Sequence, residues 1–297
     1  MPSRFFLAYL IPGDPARTIA GPHATVATLD AIRRQLGLER PLYTQFGLYA
    51  LHAVEGNLGT SIEFPTPVLS LLWQRFPATL MLTAAALVFE LLFGVPLGVM
   101  SAVYRNTVWD RLSDWAVLAG MAAPTFWVAI IVLVIFAIDL NMFPSGGISD
   151  PTAPQNIGNW ASHVTLPVFT LVIVSVAGWS RFMRTSMIDS LVQDYVRTAR
   201  AKGLSEFAVV FKHALRNSVL PLITLFGYNI PTLIGGALFV EVVFNYPGMG
   251  LLTYNAAIKR DYPIVMGAVL LTGLLTIAGN LMADVLYGVF DPRIRYD

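Results

Sequence analysis

The chain has 297 residues, of which 56% are hydrophobic and only 12% are charged, and its mean hydropathy is +0.64. Soluble domains carry about 25% charged residues, so this composition excludes an ordinary soluble domain and predicts a membrane protein. The formal net charge of +1 argues against a nucleic-acid partner, and the absence of cysteine excludes disulfides and thiolate metal sites.

The N-terminal residues hold an apolar run that is too short to cross a bilayer. Only Phe5–Ile11 is apolar before Pro12, whereas a membrane-spanning helix needs about 20 such residues. Residues 1–11 are therefore predicted to be the remnant of a first transmembrane helix.

Residues 12–78 form the most polar long segment. Thr28–Leu36 can form a short helix with Leu29, Ile32 and Leu36 on one face, and glycines and prolines interrupt the sequence after it. A passive loop that covers helix ends is one interpretation of this pattern.

Residues 79–290 are predicted to form a transmembrane core, and residues 291–297 a cytoplasmic tail. Five apolar segments are long enough to span a membrane, which makes the predicted fold an all-α polytopic membrane protein. These segments are Leu80–Val103, Leu112–Ile138, Val164–Trp179 (with a further turn towards Arg181), Val219–Phe244 and Pro263–Val289.

Several polar side chains interrupt these spans. A carboxylate in hydrocarbon is unfavourable, so such residues should face a cavity or another helix. The candidates for a translocation path are Glu90, Asn229, Glu241, Asn280 and Asp284. For Glu90 a path residue and a helix–helix contact are equally compatible with the sequence. For Asp284, near a helix end, the contact is favoured, and Glu241 could be a gate or a packing residue.

A polar segment within residues 181–217 is the most informative part of the chain. Its periodicity predicts two amphipathic helices that meet at Gly203. Gly203 stands where a helix end favours positive φ, and Ser205 can cap the next helix. The predicted apolar stripes are Ile188, Leu191, Val192, Tyr195, Val196 and Ala199 on the first helix, and Phe207, Val210, Phe211, Ala214 and Leu215 on the second.

The distribution of basic residues predicts which side of the membrane holds this segment. Residues 139–163 contain no Lys or Arg, and residues 245–262 contain only Lys259 and Arg260, whereas residues 181–217 are rich in both. By the positive-inside rule, the Gly203 corner and both termini are predicted to be cytoplasmic.

Motifs for chemistry within this chain are missing from the sequence. It contains no G-x-x-x-x-G-K-[ST], no H-E-x-x-H and no G-x-S-x-G. We therefore expect that the chain is not an enzyme and binds no cofactor or metal. If ATP drives its activity, hydrolysis must take place in a partner.

The segment from Asp194 to Pro221 resembles the "EAA" loop of ABC-transporter permease subunits, in the variant of the bacterial peptide/nickel (dipeptide and oligopeptide) importer branch. The strict Glu-Ala-Ala motif is replaced by Arg197, Thr198 and Ala199. Other stretches similar to this branch follow in order along nearly the whole chain: Pro12-Gly13-Asp14-Pro15, Gln35-Leu36-Gly37-Leu38, Leu58-Gly59-Thr60-Ser61, Arg75-Phe76-Pro77-Ala78-Thr79-Leu80, Gly94-Val95-Pro96-Leu97-Gly98 and Asp291-Pro292-Arg293-Ile294-Arg295.

The resemblance implies a type I ABC importer permease fold, with five complete transmembrane helices and a short or truncated first one. In the family a full helix precedes Pro12-Gly13-Asp14-Pro15, so we expect that the assigned start lies too late. The resemblance also implies a similar but non-identical permease partner, two P-loop ATPase subunits that bind ATP and Mg²⁺, and an extracytoplasmic substrate-binding protein. It further implies that residues 12–78 form an extracytoplasmic cap that helps to receive this binding protein, with the passive loop as the alternative.

In this family the loop docks into a cleft of the ATPase. The residues of this chain to which the resemblance assigns this docking role are Arg197, Thr198, Ala199, Ala201, Lys202, Gly203 and Leu204. The expected cargo is a dipeptide or oligopeptide, with nickel chelate, heme or glutathione as alternatives. Two other classes stay open: an ion-coupled secondary transporter that uses Glu90, and a membrane-anchored assembly subunit.

Overall fold

A computed structural model describes residues 20, 24–35, 39–154, 156–219, 222 and 237–290. Two π-helical turns, Leu133–Asp139 and Val209–Ala214, directly continue α5 and α8. The helices in chain order are α1 Val26–Gln35, α2 Leu42–Val54, α3 Val68–Val103, α4 Val108–Ala122, α5 Thr125–Val132, α6 Ile157–Leu191, α7 Asp194–Ala201, α8 Glu206–Ala208, α9 Leu215–Ser218, α10 Leu238–Val243, α11 Met249–Ile258 and α12 Tyr262–Phe290.

The regular secondary structure of the described residues is helical, apart from one isolated β-bridge between Thr60 and Pro67. Three helices within it are long and apolar enough to cross a membrane: α3, α6 and residues Tyr262–Met282 of α12. The bent pair α4 and α5 adds a fourth if it is a single span. The predicted all-α polytopic membrane fold is confirmed. The segments 1–11 and 291–297 lie outside the described residues, and so does most of the predicted span Val219–Phe244.

The long helices extend beyond the apolar runs that predict them. α3 begins at Val68 rather than Leu80, so its first turns belong to the segment that we expected to be a cap. α6 runs from Ile157, where the Asn156 side chain accepts a hydrogen bond from Asn159 N, to Leu191. Hydropathy marks only the part of a helix that suits hydrocarbon, and the backbone hydrogen bonds continue past it.

Helices α3 and α6 form the central contact of the bundle. A Cβ at Gly94 would lie 2.7 Å from Trp179 Cβ, and one at Gly98 would lie 2.6 Å from Met183 Cβ. Glycine therefore lets the two backbones approach closely, as small residues do in membrane helix pairs. Leu87, Val99, Trp179, Met183 and Met187 fill the buried cluster beside this contact.

The predicted span Leu112–Ile138 corresponds to the pair α4 and α5, between which the chain bends by 102°. Pro124 stands at the start of α5, and Ala123 before it takes an extended conformation with φ −76° and ψ 124°. Proline disfavours helical geometry in the preceding residue, which ends α4 here.

The predicted single helix through Ile188 and Ala199 is also interrupted. α6 ends at Leu191, Gln193 is extended at φ −71° and ψ 153°, and α7 starts at Asp194. Apolar spacing does not reveal such a short break, because the stripe resumes on the other side of it.

Candidate functional site

The corner between α7 and α8 has the local geometry that the sequence predicts. Gly203 has φ +75°, and its N–H donates to Arg200 O at 2.9 Å. The Ser205 hydroxyl oxygen accepts a hydrogen bond from Ala208 N at 3.4 Å. A left-handed glycine followed by a serine cap reverses the chain while satisfying the exposed backbone groups at both helix ends.

The inner side of this corner is firmly attached to α6. Val196 and Ala199 are buried in the same cluster as Val209 and Val210 of the π-helical turn and Met187 of α6. On the far side of the corner, the Ser186 hydroxyl of α6 donates to Ser218 O at 2.8 Å. A force applied to the corner is therefore passed to the end of α6 through buried contacts.

The outer side of the corner is exposed and carries basic and aromatic side chains. The residues predicted to contact an ATPase lie there with one exception, since Ala199 is buried in the cluster with Val209 and Val210 and supports the corner from inside. The exposed ones are Arg197, Thr198, Ala201, Lys202, Gly203 and Leu204. Arg200 pairs with Glu206 across the corner, with Nε to Oε1 at 2.9 Å.

Phe207 and Phe211 belong to the apolar stripe that the sequence predicts on the second helix, but they do not pack inwards with Val210 and Ala214. They are 72% and 48% exposed, and their ring centroids lie 4.5 Å apart. Val209, Val210 and Ala214 of the π-helical turn Val209–Ala214 are buried. The predicted stripe therefore divides into a buried part and an exposed aromatic pair.

Glu90, a candidate for the translocation path, lies in the contact between α3 and α6. It is buried, and its Oε2 accepts a hydrogen bond from Trp179 Nε1 at 2.9 Å. The Ser175 side chain is a second partner. This geometry favours the helix–helix contact of the two alternatives, and a role in the path stays a prediction.

Glu241 is fully buried and closes the N-terminus of α11. Its carboxylate accepts from Thr79 Oγ1 at 2.7 Å and from Leu251 N at 3.0 Å. Gly248 and Gly250 lack a Cβ where this carboxylate approaches the chain. A negative charge at a helix N-terminus is favourable, so this environment favours packing over gating.

Of the remaining path candidates, Asn280 is half-buried and Asp284 is exposed on α12, while Asn229 lies outside the described residues. Within the part of the chain that the structure describes, no group of three or more His, Cys, Asp or Glu could hold a metal ion.

An ion pair that sequence reasoning did not predict joins α4 and α6 near the Gly203 corner. Asp110 accepts from Arg184 Nε at 3.0 Å and from Arg184 Nη2 at 2.9 Å. It also accepts from Ser101 Oγ of α3 at 2.7 Å and from Asn106 N at 2.8 Å. These bonds tie three helices together, and only their packing reveals that Asp110 and Arg184 meet.

A family model described as the binding-protein-dependent transport system inner membrane component matches residues 94–296, and its N-terminal companion matches residues 3–83. The chain belongs to this family. It is accordingly the membrane-spanning permease subunit of an ABC importer, a transport component of the inner membrane that crosses the bilayer several times.

Relatives that match nearly the whole chain support the assignment of this protein to the permease family. A Brucella suis biovar 1 protein that bears the name of a peptide permease is 45% identical over 294 residues, with 98% of this chain and 92% of the relative covered. The glutathione transport system permease protein GsiC of Escherichia coli K12 is 41% identical over 98% of this chain and 92% of its own. The oligopeptide transport system permease protein AppB of Bacillus subtilis is 39% identical, with 98% and 93% covered.

The fold of the permease is also found in solved structures. An inward-facing conformation of the MetNI methionine ABC transporter matches with a TM-score of 0.63 at 16% identity, over 75% of this chain and 97% of that one. At this identity the match shows the common fold only.

Proposed function

We propose that this permease forms half of the translocation path of a peptide importer and pairs with a second, non-identical permease. Two ATPase subunits would bind ATP and Mg²⁺ on the cytoplasmic side, and a substrate-binding protein would deliver cargo from outside. The curated names of the relatives, which specify peptides, oligopeptides and glutathione, support short peptides as the cargo class.

The geometry of the Gly203 corner is the observation that carries this proposal. Its outer side presents Arg197, Lys202 and Leu204 next to the Phe207–Phe211 pair, and all of them are exposed. Aromatic and arginine side chains are enriched in the parts of interfaces that contribute most to binding. Because the inner side packs on α6, a docked ATPase could move this helix directly.

The orientation follows from charge. The outer side of the corner is basic, and basic residues near helix ends stay in the cytoplasm. We place the corner and both termini in the cytoplasm, and residues 58–67 and 245–262 on the extracytoplasmic side. This arrangement puts the corner within reach of an ATPase and leaves the opposite end free for a binding protein.

Affinity purification of the permease from its native membrane in mild detergent tests the assembly. We expect mass spectrometry to find a P-loop ATPase and a second permease in the eluate. Recovery of this chain alone, together with uptake that follows the proton gradient, would contradict the proposal and favour a secondary transporter.

A glycine substitution tests the coupling. Gly203→Val should uncouple peptide uptake from ATP hydrolysis without preventing insertion, because a left-handed conformation is unfavourable by roughly 1–2 kcal/mol for a residue with a Cβ. Gly56→Val is the matched control, since Gly56 also has positive φ (+80°) in open space but lies outside the corner. Normal uptake by Gly203→Val would contradict the coupling assignment.

A further inference from the structure

Asp261, between α11 and α12, is a buried carboxylate that holds a distant part of the chain. It is only 1% exposed. Its Oδ2 accepts hydrogen bonds from the Ser61 hydroxyl, from Ile62 N at 3.0 Å and from Glu63 N at 3.1 Å. A buried carboxylate needs such donors, and here all three come from the segment that precedes α3.

We call residues 58–67 the strap. It is closed on itself, because Ser61 N donates to Thr66 O at 3.1 Å and Val68 N donates to Gly59 O at 3.0 Å. The Ser61 hydroxyl donates to Asp261 and also accepts from Phe64 N at 2.8 Å. The strap is therefore an ordered turn, and the Ser61 hydroxyl connects it to Asp261.

Two further contacts hold the strap and the start of α3 against the corner between α11 and α12. Glu63 forms an ion pair with Lys259. A Cβ at Gly267 would lie 2.6 Å from Val68 Cγ1, so α12 and α3 are in close contact here. The buried side chains that join these parts are Leu58, Val68, Leu72, Met249, Ala256, Ile264 and Ala268.

The other end of α11 is bound to α3 as well. Glu241 accepts from Leu251 N in the first turn of α11 and from Thr79 Oγ1 of α3. Met249 N also donates to Thr79 Oγ1, at 2.8 Å. Both ends of α11 are therefore joined to α3 or to the strap in front of it.

We propose that Asp261 is a positioning residue, which locks the strap to the α11–α12 corner so that the strap, the start of α3 and α11 move as one unit during transport. This inference rests on the proposed importer function. The unit lies on the side that we propose to be extracytoplasmic, opposite to the Gly203 corner. Movement of α3 relative to the rest of the bundle would carry this whole unit with it.

Cysteine labelling tests the lock without any cargo, since the natural chain contains no cysteine. Leu58→Cys places a thiol on the buried inner side of the strap, where Leu58 is 6% exposed, and Phe64→Cys places one at the exposed tip of the strap. With a membrane-impermeant maleimide, Asp261→Ala should accelerate labelling of Leu58→Cys by about tenfold or more, because the strap opens locally. Labelling of Phe64→Cys should not change. Ser61→Ala, which removes one donor, replaces Asp261→Ala if the latter does not reach the membrane.

A crosslink tests whether the unit stays together during transport. Glu63→Cys with Lys259→Cys allows a disulfide between the strap and the corner while Asp261 is kept. The oxidised permease, assembled with its ATPases and binding protein, should import peptide at the rate of the reduced one. Asp261→Ala should import peptide more slowly, because the unit no longer moves together. The same crosslink should restore its import, which a general loss of stability elsewhere would not allow. A short bismaleimide serves if oxidation fails.

Four results would overturn the inference. Leu58→Cys could be labelled at the same rate with and without Asp261, or the crosslink could abolish import in the chain that keeps Asp261. The crosslink could also fail to restore import to Asp261→Ala, or neither reagent could join residues 63 and 259. If the natural chain imports no peptide in the assembled transporter, the proposed function fails instead, and the labelling result still decides whether Asp261 holds the strap.

Discussion

Asp110 and Arg184 form a two-point ion pair that joins α4 to α6 close to the Gly203 corner, with N–O distances of 3.0 and 2.9 Å. The Asp110 side chain is 5% exposed and that of Arg184 is 25% exposed. A bidentate guanidinium–carboxylate pair fixes orientation as well as distance. Any movement that the corner passes to α6 therefore reaches α4 through this pair.

Arg184→Met should destabilise the permease, because Asp110 would remain buried and charged with only neutral donors. Removing one partner of a buried pair destabilises by roughly 3–5 kcal/mol, and the partial exposure of Arg184 places the expected effect at or below the lower end. Thermal unfolding followed by tryptophan fluorescence in detergent measures it. Arg181→Met, an exposed arginine on the same helix, is the control, and equal melting temperatures of the two variants would contradict the role of the pair.

Glu90→Gln should leave both stability and peptide uptake close to those of the natural protein. The amide oxygen of glutamine can still accept the Trp179 indole N–H that Glu90 accepts at 2.9 Å. Trp179→Phe, which removes the donor, should lower the free energy of unfolding by about 1 kcal/mol or more, since a buried acceptor loses its partner. A double-mutant cycle on unfolding and a parallel uptake assay measure both effects. Loss of uptake in Glu90→Gln at unchanged stability would instead indicate that Glu90 lines the translocation path.

Gly98→Ala should weaken the α3–α6 contact, because the new Cβ would meet Met183 Cβ at 2.6 Å and the α6 backbone. Overpacking of this kind destabilises by roughly 1–3 kcal/mol. Gly178→Ala is the control, as nothing lies within 4 Å of a Cβ at Gly178. Detergent melting temperatures report the difference, and the close-packing argument fails if Gly98→Ala melts no lower than Gly178→Ala.

Phe207→Ala with Phe211→Ala should leave the permease folded, because both rings are exposed in the described structure. Binding of the ATPase should weaken by roughly tenfold or more, the effect expected when aromatic anchors of an interface are truncated. Quantitative co-purification of the ATPase measures this. Val192→Ala, an exposed apolar residue just before α7, should have no effect. Undiminished ATPase recovery with the double alanine variant would place docking elsewhere.

Much of the architecture could be predicted from local signals. Long apolar runs indicated α3, α6 and α12, and the positions of Gly203 and Ser205 predicted a left-handed turn and a cap that the structure confirms. These features depend on near neighbours in the sequence, because helix hydrogen bonds and caps connect residues only a few positions apart.

Other features arise from the packing of helices and could not be predicted in this way. The stripe on the second helix joins Phe207 and Phe211 with Val210 and Ala214, but the fold buries Val210 and Ala214 and leaves both rings exposed. The bend at Pro124 was compatible with the sequence, but its angle of 102° depends on the helices around it.

The sequence by itself determined that the chain is a helical membrane protein. It also determined the position of the Gly203 corner and the family that the chain resembles. Only the tertiary structure decided the partners of its buried charges: Arg184 for Asp110, Trp179 for Glu90, Thr79 for Glu241 and Ser61 for Asp261. The physical reason is that hydropathy and periodicity are sums over neighbouring residues. A buried carboxylate is instead satisfied by whichever donors the fold brings to it, and for Asp261 three of these donors lie 198 to 200 residues earlier in the sequence.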